Sequence, residues 1–72
     1  MTLEKFGIEM ERITAVRDVS IRDSELPVRI FGNVSNYNTR IGEIRDKYPG
    51  VYQIGRVDGS AHQTLIFSLR RN

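Results

Sequence analysis

A chain of 72 residues, 39% hydrophobic and 28% charged, is read as one domain spanning residues 1–72, one that buries only about 60% of its unfolded surface. It lacks the apolar depletion of a disordered chain and any apolar run near the roughly 20 residues of a membrane span. With no cysteine and a net charge of +2, disulfides, thiolate nucleophiles and sulfur-ligated metals are excluded, and a polyanionic partner is neither required nor ruled out.

The charge is uneven along the chain. Lys5, Arg12, Arg17, Arg22 and Arg29 against Glu4, Glu9, Glu11, Asp18, Asp23 and Glu25 leave residues 1–32 at −1. Arg40, Arg45, Lys47, Arg56, Arg70 and Arg71 against Glu43, Asp46 and Asp58 leave residues 33–72 at +3. An anion-binding surface is therefore expected in the second half. Nothing in the first ten residues reads as a signal peptide, so a cytoplasmic location is expected, with dimerisation as one way to stabilise so small a core.

Leu3, Phe6, Met10, Ile13 and Val16 recur at steps of 3, 4, 3 and 3, which predicts an amphipathic helix over about residues 2–16 with Thr2 as a cap. The competing reading begins a strand within Ile13–Ile21. Val19-Ser20-Ile21 is a short strand on the first reading. Asp23 or Ser24 then caps a second helix, with Pro27 in its first turn and Leu26 and Ile30 on one face. Leu26, Val28 and Ile30 also alternate as a strand does. Gly32 ends either element, in the left-handed region that glycine tolerates.

Val34, Tyr37, Ile41, Ile44 and Tyr48 are spaced 3, 4, 3 and 4, predicting a helix over residues 36–47 with Asn33, Ser35 or Asn36 as its cap. Pro49 and Gly50 stop it. From Val51 onward the apolar period becomes 2, and "VYQIGRV" and "HQTLIFSL" flank "DGSA", which predicts a hairpin over 51–70 with a turn at Asp58-Gly59 and a bulge or close approach at Gly55. Phe6, Phe31, Tyr37, Tyr48, Tyr52 and Phe67 read as core rather than as a platform for stacking bases.

Helix, short strand, helix, turn, helix and hairpin, in that order, resemble a winged helix-turn-helix domain: α+β, three helices with a short strand after the first and a C-terminal β-hairpin wing. "Asp23-Ser-Glu-Leu-Pro-Val-Arg-Ile-Phe", "Gly32-Asn-Val-Ser" and "Asn36-Tyr-Asn-Thr-Arg-Ile-Gly-Glu-Ile-Arg-Asp-Lys" match its three parts. "Thr39-Arg-Ile-Gly-Glu-Ile-Arg" before a hairpin is similar to small winged-helix proteins of phages and prophages. The resemblance implies non-catalytic binding of double-stranded DNA, by a transcriptional regulator or recombination accessory protein, as a monomer or a homodimer.

On that reading Asn36, Asn38, Thr39 and Arg40 meet base edges in the major groove. Arg45, Lys47, Arg56, His62, Arg70 and Arg71 meet the backbone. The plainer roles are a cap for Asn36, solvated surface for Asn38 and Thr39, and an ion pair with Asp58 for Arg56. One histidine, no cysteine and no phosphate-cradling glycine motif speak against an enzyme, a metal centre, a cofactor or a small-molecule substrate. Glu43 and Asp46, on the solvent side of the third helix, motivate an alternative: a protein-binding adaptor or viral inhibitor. A purely structural oligomer subunit is a third reading, favoured by a large apolar patch left exposed on the first helix of the monomer.

Overall fold

The computed structural model describes residues 2–18 and 25–70. The chain forms helix α1 (Thr2–Glu11), strand β1 (Ala15–Arg17), strand β2 (Glu25–Phe31), a 3-10 turn (Val34–Asn36), helix α2 (Asn38–Lys47), strand β3 (Val51–Asp58) and strand β4 (His62–Leu69). The four strands make one antiparallel sheet in the order β1-β2-β4-β3. The path is thus α-β-β followed by α-β-β, and the second strand of each half lies at the centre. There β2 and β4 pair from Glu25↔Ser68 to Phe31↔His62.

This α+β arrangement replaces the expected winged helix-turn-helix. Among the described residues it has two α-helices rather than the expected three, and the hairpin is half of the sheet rather than a wing. The decisive stretch is β2, expected as the second helix. Leu26, Val28 and Ile30 are each fully buried, a period of 2 that a helix cannot satisfy, because it would turn Val28 away from Leu26 and Ile30. Across the ladder they meet Phe67, Leu65 and Gln63. Pairing with a long central partner outweighs the local capping signals.

Pro27 is accommodated for a geometric reason. Its carbonyl accepts from the Asp18 N–H at 3.1 Å, so its ring nitrogen also faces the β1 side, just past the end of that strand. The missing N–H therefore costs no bond to β4.

Helix α1 ends at Glu11, short of the expected residue 16. Arg12 and Ile13 close the last turn through Glu9 and Met10 carbonyls, and Thr14 enters the left-handed region at φ +63°, reversing the chain into β1. Ile13 stays in the core at 3% exposure, whereas Val16 falls on the other side of the sheet. The expected strand at 19–21 and the expected caps Asp23 and Ser24 lie outside the described residues.

The helix expected over 36–47 is largely present. Its start differs: the side-chain oxygen of Asn33 accepts from the Ser35 N–H at 3.0 Å and the Ser35 hydroxyl at 2.7 Å, capping the 3-10 turn, and α2 follows without a side-chain cap. Gly32 takes φ +82°. The hairpin closes through the Gly59 N–H on the His62 carbonyl at 2.8 Å, and its register shifts between Gln53 and Gly55.

Both helices pack on one face of the sheet. Leu3, Phe6 and Met10 of α1 and Ile41 and Ile44 of α2 join Leu26, Val28, Ile30, Leu65 and Phe67 in a single core. Phe6 is its centre, edge-on to Phe67 at 4.8 Å and to Tyr48 at 6.2 Å between centroids. Gly7 lets α1 approach: a β-carbon there would lie 3.0 Å from Leu26 Cδ2 and 3.1 Å from Arg17 Cδ.

Candidate functional site

Strand alternation sends one set of side chains into the core and leaves another on the far face of the sheet. Cross-strand partners place that second set in rows. Val16, Arg29, Thr64 and Val57 form one; Pro27, Ile66 and Gly55 form the next; Glu25, Ser68 and Tyr52 lie beyond; Phe31 and His62 close the other end. Among the described residues no helix covers this face. Val16, Phe31 and Val57 are 50%, 46% and 58% exposed, unusual for large apolar residues grouped on one surface of so small a domain.

The face has polar points within its apolar field. The Phe31 and His62 rings lie 5.5 Å apart at a 51° tilt, and the Arg70 guanidinium sits 5.1 Å from the centre of the Tyr52 ring. Arg29 lies on the central strand β2. Its Nη2 is 3.5 Å from Asp18 Oδ2, a long contact, and its Nε is buried with no acceptor among the described residues. An Arg with an unused donor beside aromatic and aliphatic surface is the composition that dominates protein interfaces energetically.

The residues expected to touch DNA do not converge on one surface. Asn38 and Arg56 line the same cleft of about 470 Å³, with Asn33, Gln53, Gln63 and Leu65, on the helix side of the sheet. Arg40 and Lys47 flank a groove between the helices that also holds Glu9, Arg12 and Glu43. Arg45 and Arg70 lie at the β3 edge with Asp46 and Tyr52. Asn36 and Thr39 are exposed, His62 belongs to the open face, and Arg71 lies outside the described residues.

The helix layer is electrically balanced. Arg40, Arg45 and Lys47 on α2 stand with Glu43 and Asp46, and Lys5 and Arg12 beside α1's Glu4, Glu9 and Glu11. Several cations are already engaged: Arg17 with Glu11 at 2.7 Å, Lys47 with Glu9 at 3.1 Å and Arg56 with Asp58 at 3.4 Å. A helix entering a phosphate-walled groove needs cationic flanks, and α1 beside it contributes carboxylates.

Sequence reasoning missed Val16, Arg29, Phe31, Val57 and Ile66 as a set. Val16 continues the helical period of the first segment and Phe31 reads as core with the other aromatics, yet both stand on the open face of the sheet. The signal that finds them is the alternation of Pro27, Arg29 and Phe31 with Leu26, Val28 and Ile30. None of the described helices is long and apolar enough to cross a membrane. Compared with known proteins, the chain matches no family model, no curated protein and no solved structure.

Proposed function

We propose that this chain is a non-catalytic, cytoplasmic protein-binding module, and that the uncovered face of its sheet is the docking surface. The observation that carries this reading is the grouping of exposed Val16, Phe31 and Val57 around Arg29 on the face opposite both helices. Large apolar side chains gain by leaving water, and the Arg29 guanidinium, 40% exposed and held by a long contact to Asp18, has further N–H donors to offer a partner. A protein surface with apolar side chains and a carbonyl, hydroxyl or carboxylate supplies both.

Binding of double-stranded DNA through α2 is the competing reading, and electrostatics separates the two. The purified protein is titrated with random-sequence duplex across a salt series beginning at low ionic strength. The protein-binding reading expects no association even at the lowest salt. Duplex binding that weakens steeply as salt rises, and that Arg40→Ala diminishes, contradicts it.

A further inference from the structure

We infer that the occupant of the open face is a second copy of this chain, docked sheet on sheet about a two-fold axis parallel to the strands and lying between β2 and β4. The inference rests on the protein-binding reading of that face and names its partner.

Two in-plane axes bring the open face onto itself, and the register distinguishes them. An axis along the strands keeps each row level and exchanges columns, so β2 lies over the partner copy's β4 and β1 over its β3. Val16 then meets Val57 of the second copy, Pro27 meets Ile66, Phe31 meets His62 and Arg29 meets the Thr64 hydroxyl, each pairing occurring twice. Apolar meets apolar, and Arg29 faces a hydroxyl acceptor rather than another cation. An axis across the strands exchanges rows instead. It sets Phe31 over Glu25 and Val16 over Asp18, which puts carboxylates on apolar side chains and is disfavoured. Sheets that pack face to face cross at about 30°; the central pairs keep their partners, and the outer Val16 and Val57 remain within reach of longer side chains.

The area sets the strength. The strands hold 3, 7, 8 and 8 residues; at about 3.4 Å per residue and about 4.8 Å between strands they cover roughly 420 Å² per copy, or about 850 Å² for the pair, below the roughly 1,000 Å² of a stable interface and in the range of weak, transient ones. The dimer is therefore weak and concentration-dependent, well suited to a domain that folds alone and closes its second face on association.

The test is sedimentation velocity from low-micromolar to millimolar protein. The native chain is expected to shift from one chain to two over that range. Val16→Lys and Val57→Glu, both at positions at least half exposed in the single chain, should each remain folded by circular dichroism and remain monomeric. Mixed in equal amounts, they should associate again, at least about tenfold more tightly than either alone, because Lys at position 16 of one copy faces Glu at position 57 of the other. Ile8→Glu, on the helix side and 40% exposed, should leave dimerisation unchanged. A native chain that stays monomeric at millimolar concentration overturns the inference, as does a dimer indifferent to both face substitutions, or variants that do not rescue one another. A monomer that also ignores DNA overturns the second copy while leaving the face to a different protein. Salt-sensitive duplex binding overturns the protein-binding reading itself.

Discussion

Val28→Ala distinguishes the observed fold from the helical alternative by the sign of its effect. Val28 is fully buried at the middle of β2, opposite Leu65. Removing two methyl groups forfeits about 1.6 kcal/mol of transfer free energy, and incomplete collapse of the space raises the cost to about 2–3 kcal/mol. A domain of 72 residues holds about 4–11 kcal/mol of stability, so this is a large fraction. At about 4–8 °C per kcal/mol for a domain of this size, the melting temperature should fall by about 10–20 °C. In a helix spanning the same residues Val28 faces water, and alanine raises stability by a few tenths of a kcal/mol. Urea unfolding followed by far-ultraviolet circular dichroism measures the difference directly. The expected result is a lower midpoint with an unchanged slope. An unchanged or higher midpoint refutes the placement of Val28 and with it the central strand.

Adjacent residues on β2 should differ in the same assay: Ile30→Ala, fully buried, costs about 2–5 kcal/mol, whereas Phe31→Ser, 46% exposed and packed on His62, costs about 1 kcal/mol. Asn33→Ala removes the acceptor for Ser35 and should cost about 0.5–2 kcal/mol, while Asn36→Ala, exposed and not the cap, should cost much less. Gly7→Ala gains about 1 kcal/mol of helix propensity but sets a β-carbon 3.0 Å from buried Leu26, and overpacking of about 1–3 kcal/mol at least cancels the gain. Thermal melting of the variant should therefore occur no higher than that of the native chain.

The readable parts of the fold were those in which local pattern and tertiary partner agree. The α2 stripe of Ile41 and Ile44, the stop at Pro49, the Asp58-Gly59 turn and the inward Leu65 and Phe67 all appear in the structure. At β2 the two levels disagree. Leu26 and Ile30 satisfy a helix at i,i+4 and a strand at i,i+4 alike, so only Val28 discriminates, and its burial depends on β4, more than 30 residues away in sequence. At the end of α1, Ile13 continues the helical period although it belongs to a turn, because a turn that closes over the core buries the same side chain.

The candidate site was hidden for the same reason. Once β2 is taken as a helix, Arg29 and Phe31 have no common face with Val16, Val57 and Ile66, and the far side of the sheet does not exist as a surface. The polar residues Asn38, Thr39 and Arg40 of the expected DNA-reading helix lie on α2 instead. There the individual side chains are exposed, but the carboxylates of α1 beside them come from a helix whose position the local sequence does not specify.

Backbone amide resonances followed in two titrations test most directly whether the open face, rather than α2, is the interacting surface. In the first, protein concentration is raised; in the second, random-sequence duplex is added at low salt. The expected result is concentration-dependent shifts at Val16, Arg29, Phe31, Val57, Thr64 and Ile66, with no shifts from Asn38 to Lys47 in either titration. Duplex-induced shifts centred on Asn38, Thr39 and Arg40 that vanish as salt rises, with the sheet face unmoved throughout, contradict it.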